Sequence, residues 1–198
     1  MSSRRVAIGG LGSMMLAGVA APCHAHMVES GLGPVYDGLL HFVLTPQDLL
    51  PVLALAVLAG LGGKTHARLA VLLLPLAWLV AGAVGARVAQ PLPESIAWLP
   101  LLLLGGLLAV DRRGSPAVLA ILAVALGAWL GYGNGAAMGV AGADIRAVLG
   151  SAGAVFVATA LLAACAVAWQ AGWMRIAWRV AGSWVAAAGL LLLGWTMR

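Results

Sequence analysis

Apolar residues in this chain come in long unbroken blocks, without the alternation of half-buried strands or the narrow stripe of a surface helix. Beyond residue 31 six blocks are legible, at residues 35–61, 69–88, 96–110, 116–138, 147–169 and 176–195. An apolar stretch of about 20 residues crosses a bilayer as a helix, because every backbone N–H and C=O then finds a partner inside the segment. The pattern predicts an all-α fold, a polytopic membrane helix bundle of about six transmembrane helices. The third block is short for a span, so it draws on flanking residues or the bilayer thins around it. The first is interrupted near Thr45-Pro46. A transmembrane β-barrel would show segments of about ten residues with alternating polarity, and the blocks here are continuous.

Composition agrees. Of 198 residues 63% are hydrophobic and 9% charged, and the mean hydropathy is +1.05. A soluble domain carries roughly 25% charged residues. The net charge of +5 is spread singly or in pairs at block edges, a topology signal that argues against a nucleic-acid partner. With the mature N-terminus outside, in the periplasm, the inner side receives Lys64, Arg68, Arg112, Arg113, Arg175 and Arg179. The outer side receives Arg87, Arg146 and Arg198. Six against three follows the positive-inside rule and predicts a multi-pass protein of the bacterial inner membrane. Trp169, Trp173 and Trp178 cluster at the last inner connection, where an aromatic belt belongs. The connections are too short for an extra domain, so residues 26–198 read as a single transmembrane domain embedded in the lipid bilayer.

Residues 1–25 read as a signal peptide: Arg4 and Arg5 precede a short Gly-rich apolar stretch, and Cys23-His24-Ala25 offers small residues before a cleavage point. Cleavage there leaves His26 as the mature N-terminus; the alternative is an uncleaved first helix. Cys23 and Cys165 have no partner at a useful spacing for a disulfide or a thiolate metal site.

Polarity at membrane depth is expensive and marks function. Thr45 followed by Pro46 is a helix start, a hydroxyl cap and then proline at the first helical position. Asp48 falls at the third, where it either caps free N–H groups and favours the positive helix end or serves a site. Pro51 removes one more donor. A helix restarting at Thr45 after a turn bearing His41 is a discontinuous membrane helix, a feature that lines ion and substrate sites. If the helix runs through instead, His41 and Asp48 share a face. Imidazole with carboxylate suits a divalent transition metal or a proton relay. In the fourth block the glycines around Asn134 either let helices approach closely, with Asn134 a hydrogen-bonder between helices, or bring Asn134, Tyr132 and Met138 to the His41 and Asp48 cavity. His26, through its α-amine and imidazole, is a candidate outer ligand or a solvated terminal residue. His66 reads as a solvated loop residue, and Glu94, Asp111 and Asp144 sit at block ends. No nucleophile motif, phosphate-binding loop or zinc-protease helix is present, so the chain reads as no enzyme and as holding no resident cofactor.

The order of these features resembles the HupE/UreJ family of small bacterial inner-membrane proteins. The residues that carry the likeness are Ala25-His26 at the signal end, the Gly-Leu-Leu-His turn ending in His41, Asp48-Leu49-Leu50 leading into the apolar run from Val52, and the Gly-Tyr-x-x-Gly segment of the fourth block. The resemblance implies a nickel or cobalt permease linked to hydrogenase or urease maturation. The family signature is similar to His-Pro-x-x-Gly-x-Asp-His in the first helix and His-Gly-x-x-His-Gly in the fourth. Here His41 keeps the leading histidine, Gln47 stands at the aspartate and Asp48 at the second histidine. Leu130 and Asn134 occupy the two histidine positions of the fourth helix, while Gly131, Tyr132 and Gly135 persist. Oxygen ligands are harder than imidazole and hold nickel less tightly. The expectation is a metal-ion permease or facilitator with His41 and Asp48 as central ligands, Gln47 and Asn134 as helpers, and His26 as outer collector. The alternative is a non-transporting partner that assembles or anchors another membrane or periplasmic protein.

Overall fold

The computed structural model describes residues 30–197, so the signal peptide, Cys23 and His26 lie outside the described residues. Within them the chain forms seven α-helices: α1 (Pro34–Leu44), α2 (Pro46–Gly62), α3 (Lys64–Val88), α4 (Trp98–Ala109), α5 (Pro116–Val140), α6 (Arg146–Ala168) and α7 (Gly172–Thr196), with a 3₁₀ turn at Glu94–Ile96 before α4. Local chemistry sets several boundaries. Proline opens α1, α2 and α5, where its missing N–H costs nothing and its φ already suits a helix. Ser115 caps α5 by accepting the Val118 N–H at 3.4 Å. Gly63 joins α2 to α3 at φ 100°, a conformation that a side chain would strain.

The six apolar blocks are all helical, but they are not six equal spans. α3, α5, α6 and α7 are each long and apolar enough to cross a membrane. The first block breaks at Thr45, and α1 and α2 meet there at 77°. The cap expected of Thr45 is not formed: its hydroxyl donates backward to the His41 carbonyl at 2.6 Å, closing the end of α1 instead of opening α2. The third block yields only the 12 residues of α4, about 18 Å of helix against a hydrocarbon core of about 30 Å.

Close contacts of small residues fix how the helices run. Along one face of α5, Gly127, Gly131, Gly135 and Gly139 meet the backbones of Leu74, Trp78, Gly82 and Ala86 in that order on α3. Both series advance by four residues in the same sense, so α3 and α5 are parallel and α4 must return between them. Gly105 of α4 packs on Gly182 and Ala186, and Gly189 on Leu102, which makes α4 and α7 antiparallel. Gly38 of α1 and Gly150 of α6 abut Ala147 and Val35. Helices in lipid gain little from apolar burial, and small residues let backbones approach for dispersion contact.

α2 lies at the centre, buried over most of its length from Pro51 to Leu61. Trp78 is fully buried beside it. Its ring meets Phe42 edge-on at 5.4 Å, and its indole N–H donates to Ser151 Oγ at 3.1 Å, tying α1, α3 and α6 together.

One end of the bundle gathers the basic connections. Asp111, between α4 and α5, pairs with Arg113 at 3.1 Å and with Arg175 of α7, and Arg179 Nε donates to the Ala109 carbonyl at 2.9 Å. Arg175 and Arg179 lie in the first turns of α7, so the connection before them ends at Ala171. His66 is likewise no solvated loop residue: it lies in α3, half-buried, with Nε2 3.1 Å from the Gly114 carbonyl.

Candidate solute site at the helix break

The break at Thr45 starts α2 near the surface and leads it inward: Pro46 and Gln47 are exposed, Asp48 and Leu49 half-buried, and Pro51 and Val52 buried. Leu44 ends α1, Thr45 adopts an extended conformation, and Pro46 restarts the helix. Asp48 is the third residue of the new helix, where a carboxylate complements the positive helix end. Its Oδ2 accepts a hydrogen bond from Asn134 Nδ2 of α5 at 3.0 Å, and among the described residues no backbone N–H caps it. Asp48 therefore faces the fourth block across 86 residues of sequence, in place of the local capping role.

Asn134 is 3% exposed, and its Oδ1 has no hydrogen-bond partner among the described residues. A buried, unpaired carboxamide oxygen costs about 1–3 kcal/mol, and of the unpartnered buried atoms among the described residues, with Thr159 Oγ1 and Trp178 Nε1, this one belongs to a side chain bonded to Asp48. It is held in place by its neighbours: Gly131 and Gly135 fix α5 against α3 on either side of it. The glycine face and the hydrogen-bonding asparagine are thus parts of one arrangement, and Asn134 meets Asp48 because α5 is anchored one face over.

The other expected site residues are placed differently. His41 is half-buried in the last turn of α1. Among the described residues its imidazole makes no hydrogen bond or ion pair, while its carbonyl takes the Thr45 hydroxyl. Gln47 is exposed at the start of α2. Asp37, not one of the expected residues, accepts from Ser30 N at 2.7 Å and Ser30 Oγ at 2.6 Å near the start of α1. Tyr132 lines an apolar groove with Leu92 and Trp129, and Met138 packs with Ala147 and Val148, so neither joins the Asp48 pair. Among the described residues no three His, Cys, Asp or Glu side chains converge. Among the described residues the arrangement is a carboxylate held by a carboxamide N–H beside a helix break, with the carboxamide oxygen left over.

Two buried polar residues escaped the sequence reading. Ser151 accepts from Trp78 and donates to the Val148 carbonyl at 3.1 Å. Thr159 is fully buried, and its hydroxyl has no partner among the described residues. Both lie on one face of α6, at an eight-residue spacing that a search for inward-facing hydroxyls would register.

Comparison with known families gives one finding. The family described as HupE / UreJ protein matches residues 14–192. Searches of curated proteins and of solved structures find no match.

Proposed function

The chain belongs to the HupE/UreJ family, and from that premise we propose that it is a permease or facilitator for a divalent transition-metal ion of the nickel and cobalt class. The observation that carries this reading is the Asp48–Asn134 pair: a carboxylate and an unpartnered carboxamide oxygen at a break in a membrane helix. A cation entering there gains the Asp48 carboxylate at once. It gains Asn134 Oδ1 when the amide turns and gives up its bond to Asp48. His41, on the far arm of the bend, supplies an imidazole on the approach, with Gln47 at the edge and His26 as collector at the outer face.

The chemistry favours passage over storage. One carboxylate leaves a divalent ion short of neutralisation, oxygen donors hold nickel less firmly than imidazole, and the positive end of α2 opposes the cation. Conduction requires a site attractive enough to enter and weak enough to leave. On this reading the protein sits in the bacterial inner membrane with its mature N-terminus in the periplasm, bringing the basic end to the cytoplasm.

The second reading, a non-transporting partner of another membrane or periplasmic protein, draws on α7. That helix buries little beyond Gly182 and Gly189 and turns Trp184 and Leu191 outward. One experiment separates the two: uptake of nickel, cobalt, zinc and copper ions into proteoliposomes, beside the His41→Ala/Asp48→Ala double variant. Saturable uptake of one metal, lost in the folded variant, is expected. No uptake above empty vesicles, from protein shown to be folded, refutes the permease and leads to pull-down experiments.

A further inference from the structure

α4 and α5 follow one another through a connection of only residues 110–115, yet they do not pack along each other. α4 lies on α7 and α2, and α5 lies on α3. The gap is a groove walled by Leu103 and Leu107 of α4 and by Leu119, Leu122 and Leu126 of α5, with Leu58 of α2 as its floor at the basic end. Two cavities of about 130 and 120 Å³ lie along it end to end, with Leu122 bordering both. They are far too small for a helix 10–12 Å across and suit a single hydrocarbon chain.

The groove has a charged mouth. Arg112, Arg113 and His66 border the cavity at the basic end. Of the other cations at this end, Arg113 and Arg175 are engaged with Asp111 and Arg179 with the Ala109 carbonyl, while Lys64 and Arg68, in the first turns of α3, do not line the cavity. The guanidinium of exposed Arg112 has no partner among the described residues. The positive end of the 25-residue helix α5 opens at the same place. From Val118 at the mouth to Trp129 at the far end, eleven residues of α5 give about 16 Å of helix. That is half of a hydrocarbon core of about 30 Å, the depth of one leaflet.

An unpaired cation above an apolar channel one leaflet deep calls for a ligand with an anionic head and a long acyl chain. We propose that the α4–α5 groove is a binding site for an anionic phospholipid, its headgroup phosphate on Arg112 and one chain between α4 and α5. Free phosphate has no use for the groove, and a zwitterionic lipid sets its own cation beside its phosphate and so leaves a net positive charge at Arg112.

The test takes the full protein, purified and delipidated in an uncharged detergent. Phosphatidylglycerol, phosphatidylcholine or inorganic phosphate is added, and bound lipid is counted by native mass spectrometry while thermal unfolding is followed. Phosphatidylglycerol is expected to bind at one site and raise the unfolding temperature by several degrees, with the other two additions without effect. Arg112→Gln is expected to weaken this binding about tenfold and Leu122→Trp to block it, while Arg68→Gln, an exposed cation outside the groove, leaves it unchanged. Should Leu122→Trp fail to fold, the contrast between Arg112→Gln and Arg68→Gln decides alone. Equal binding of both lipids, equal effects of the two arginine variants, or a matching shift from inorganic phosphate overturns the proposal. So does lipid-independent dimerisation that Leu122→Trp abolishes, which would make a second copy the occupant.

Discussion

Gly135→Ala probes at once the parallel contact of α3 with α5 and the position of Asn134. A Cβ at Gly135 would stand 2.7 Å from both the carbonyl carbon and the Cα of Gly82, with the Gly82 oxygen nearer still. Carbon atoms rest at about 3.5–4.0 Å, and the obstacle is backbone, so the helices must separate by roughly 1 Å. Overpacking of this kind costs about 1–3 kcal/mol, with backbone on backbone toward the upper figure. Alanine in a helix returns about 0.5–1 kcal/mol relative to glycine, leaving a net loss of about 2 kcal/mol. Gly133→Ala, two residues away, is the control: its Cβ meets only Leu92 Cδ1, at the ordinary distance of 3.7 Å. It is expected to stabilise by about 0.5–1 kcal/mol. Reversible unfolding in mixed detergent measures both. The same preparations, reconstituted for metal uptake, should show Gly135→Ala impaired and Gly133→Ala unimpaired, because a displacement of about 1 Å at Gly135 breaks the adjacent 3.0 Å bond between Asn134 and Asp48. Equal shifts in the two variants, or a Gly135→Ala protein as stable as wild type, would refute the packing described here.

Two further outcomes follow from the core and from the basic end. Trp78→Phe keeps an aromatic face for Phe42 but loses the indole bond to Ser151; a loss of about 1 kcal/mol for the bond, plus the cost of lost volume, should appear in the same unfolding assay. At Asp111, partial burial pushes the carboxyl up, but hydrogen bonds from Arg113 and Arg175 and their positive charges outweigh it and hold the group below its ordinary value. Its stabilising contribution is therefore full above a pH of about 4 and lost as pH falls through the lower folded value. Asp111→Asn, suited to the φ of 53° at this residue, should flatten that acid dependence; an unchanged acid profile would show that the ion pairs contribute nothing to the folded state.

Much of the architecture is legible along the chain because a bilayer imposes a one-dimensional rule. A helix that must satisfy its own backbone needs a continuous apolar block, and each of the six blocks is helical in the structure. The break in the first block was legible too, since Thr45-Pro46 is a local signal. The direction of the Thr45 hydroxyl was not: the choice between closing α1 and capping α2 follows from the 77° bend, which depends on what each helix packs against. His66 read as solvated because a sequence does not reveal that the α4–α5 connection passes beside it.

The candidate site divides along the same line. Sequence alone determined that His41, Asp48 and Asn134 are polar groups in apolar surroundings, and that the glycines around Asn134 fall at the four-residue spacing that lets helices approach closely. Only the tertiary structure decided that this face lies on α3, that Asn134 is thereby turned to Asp48 while Tyr132 and Met138 are turned away, and that α4 and α5 stand apart around a groove. The physical reason is the nature of the solvent. Insertion into lipid is governed by the hydrophobicity of each segment by itself. Association within lipid has no comparable hydrophobic drive and rests on close backbone fit and single hydrogen bonds between residues far apart in the chain.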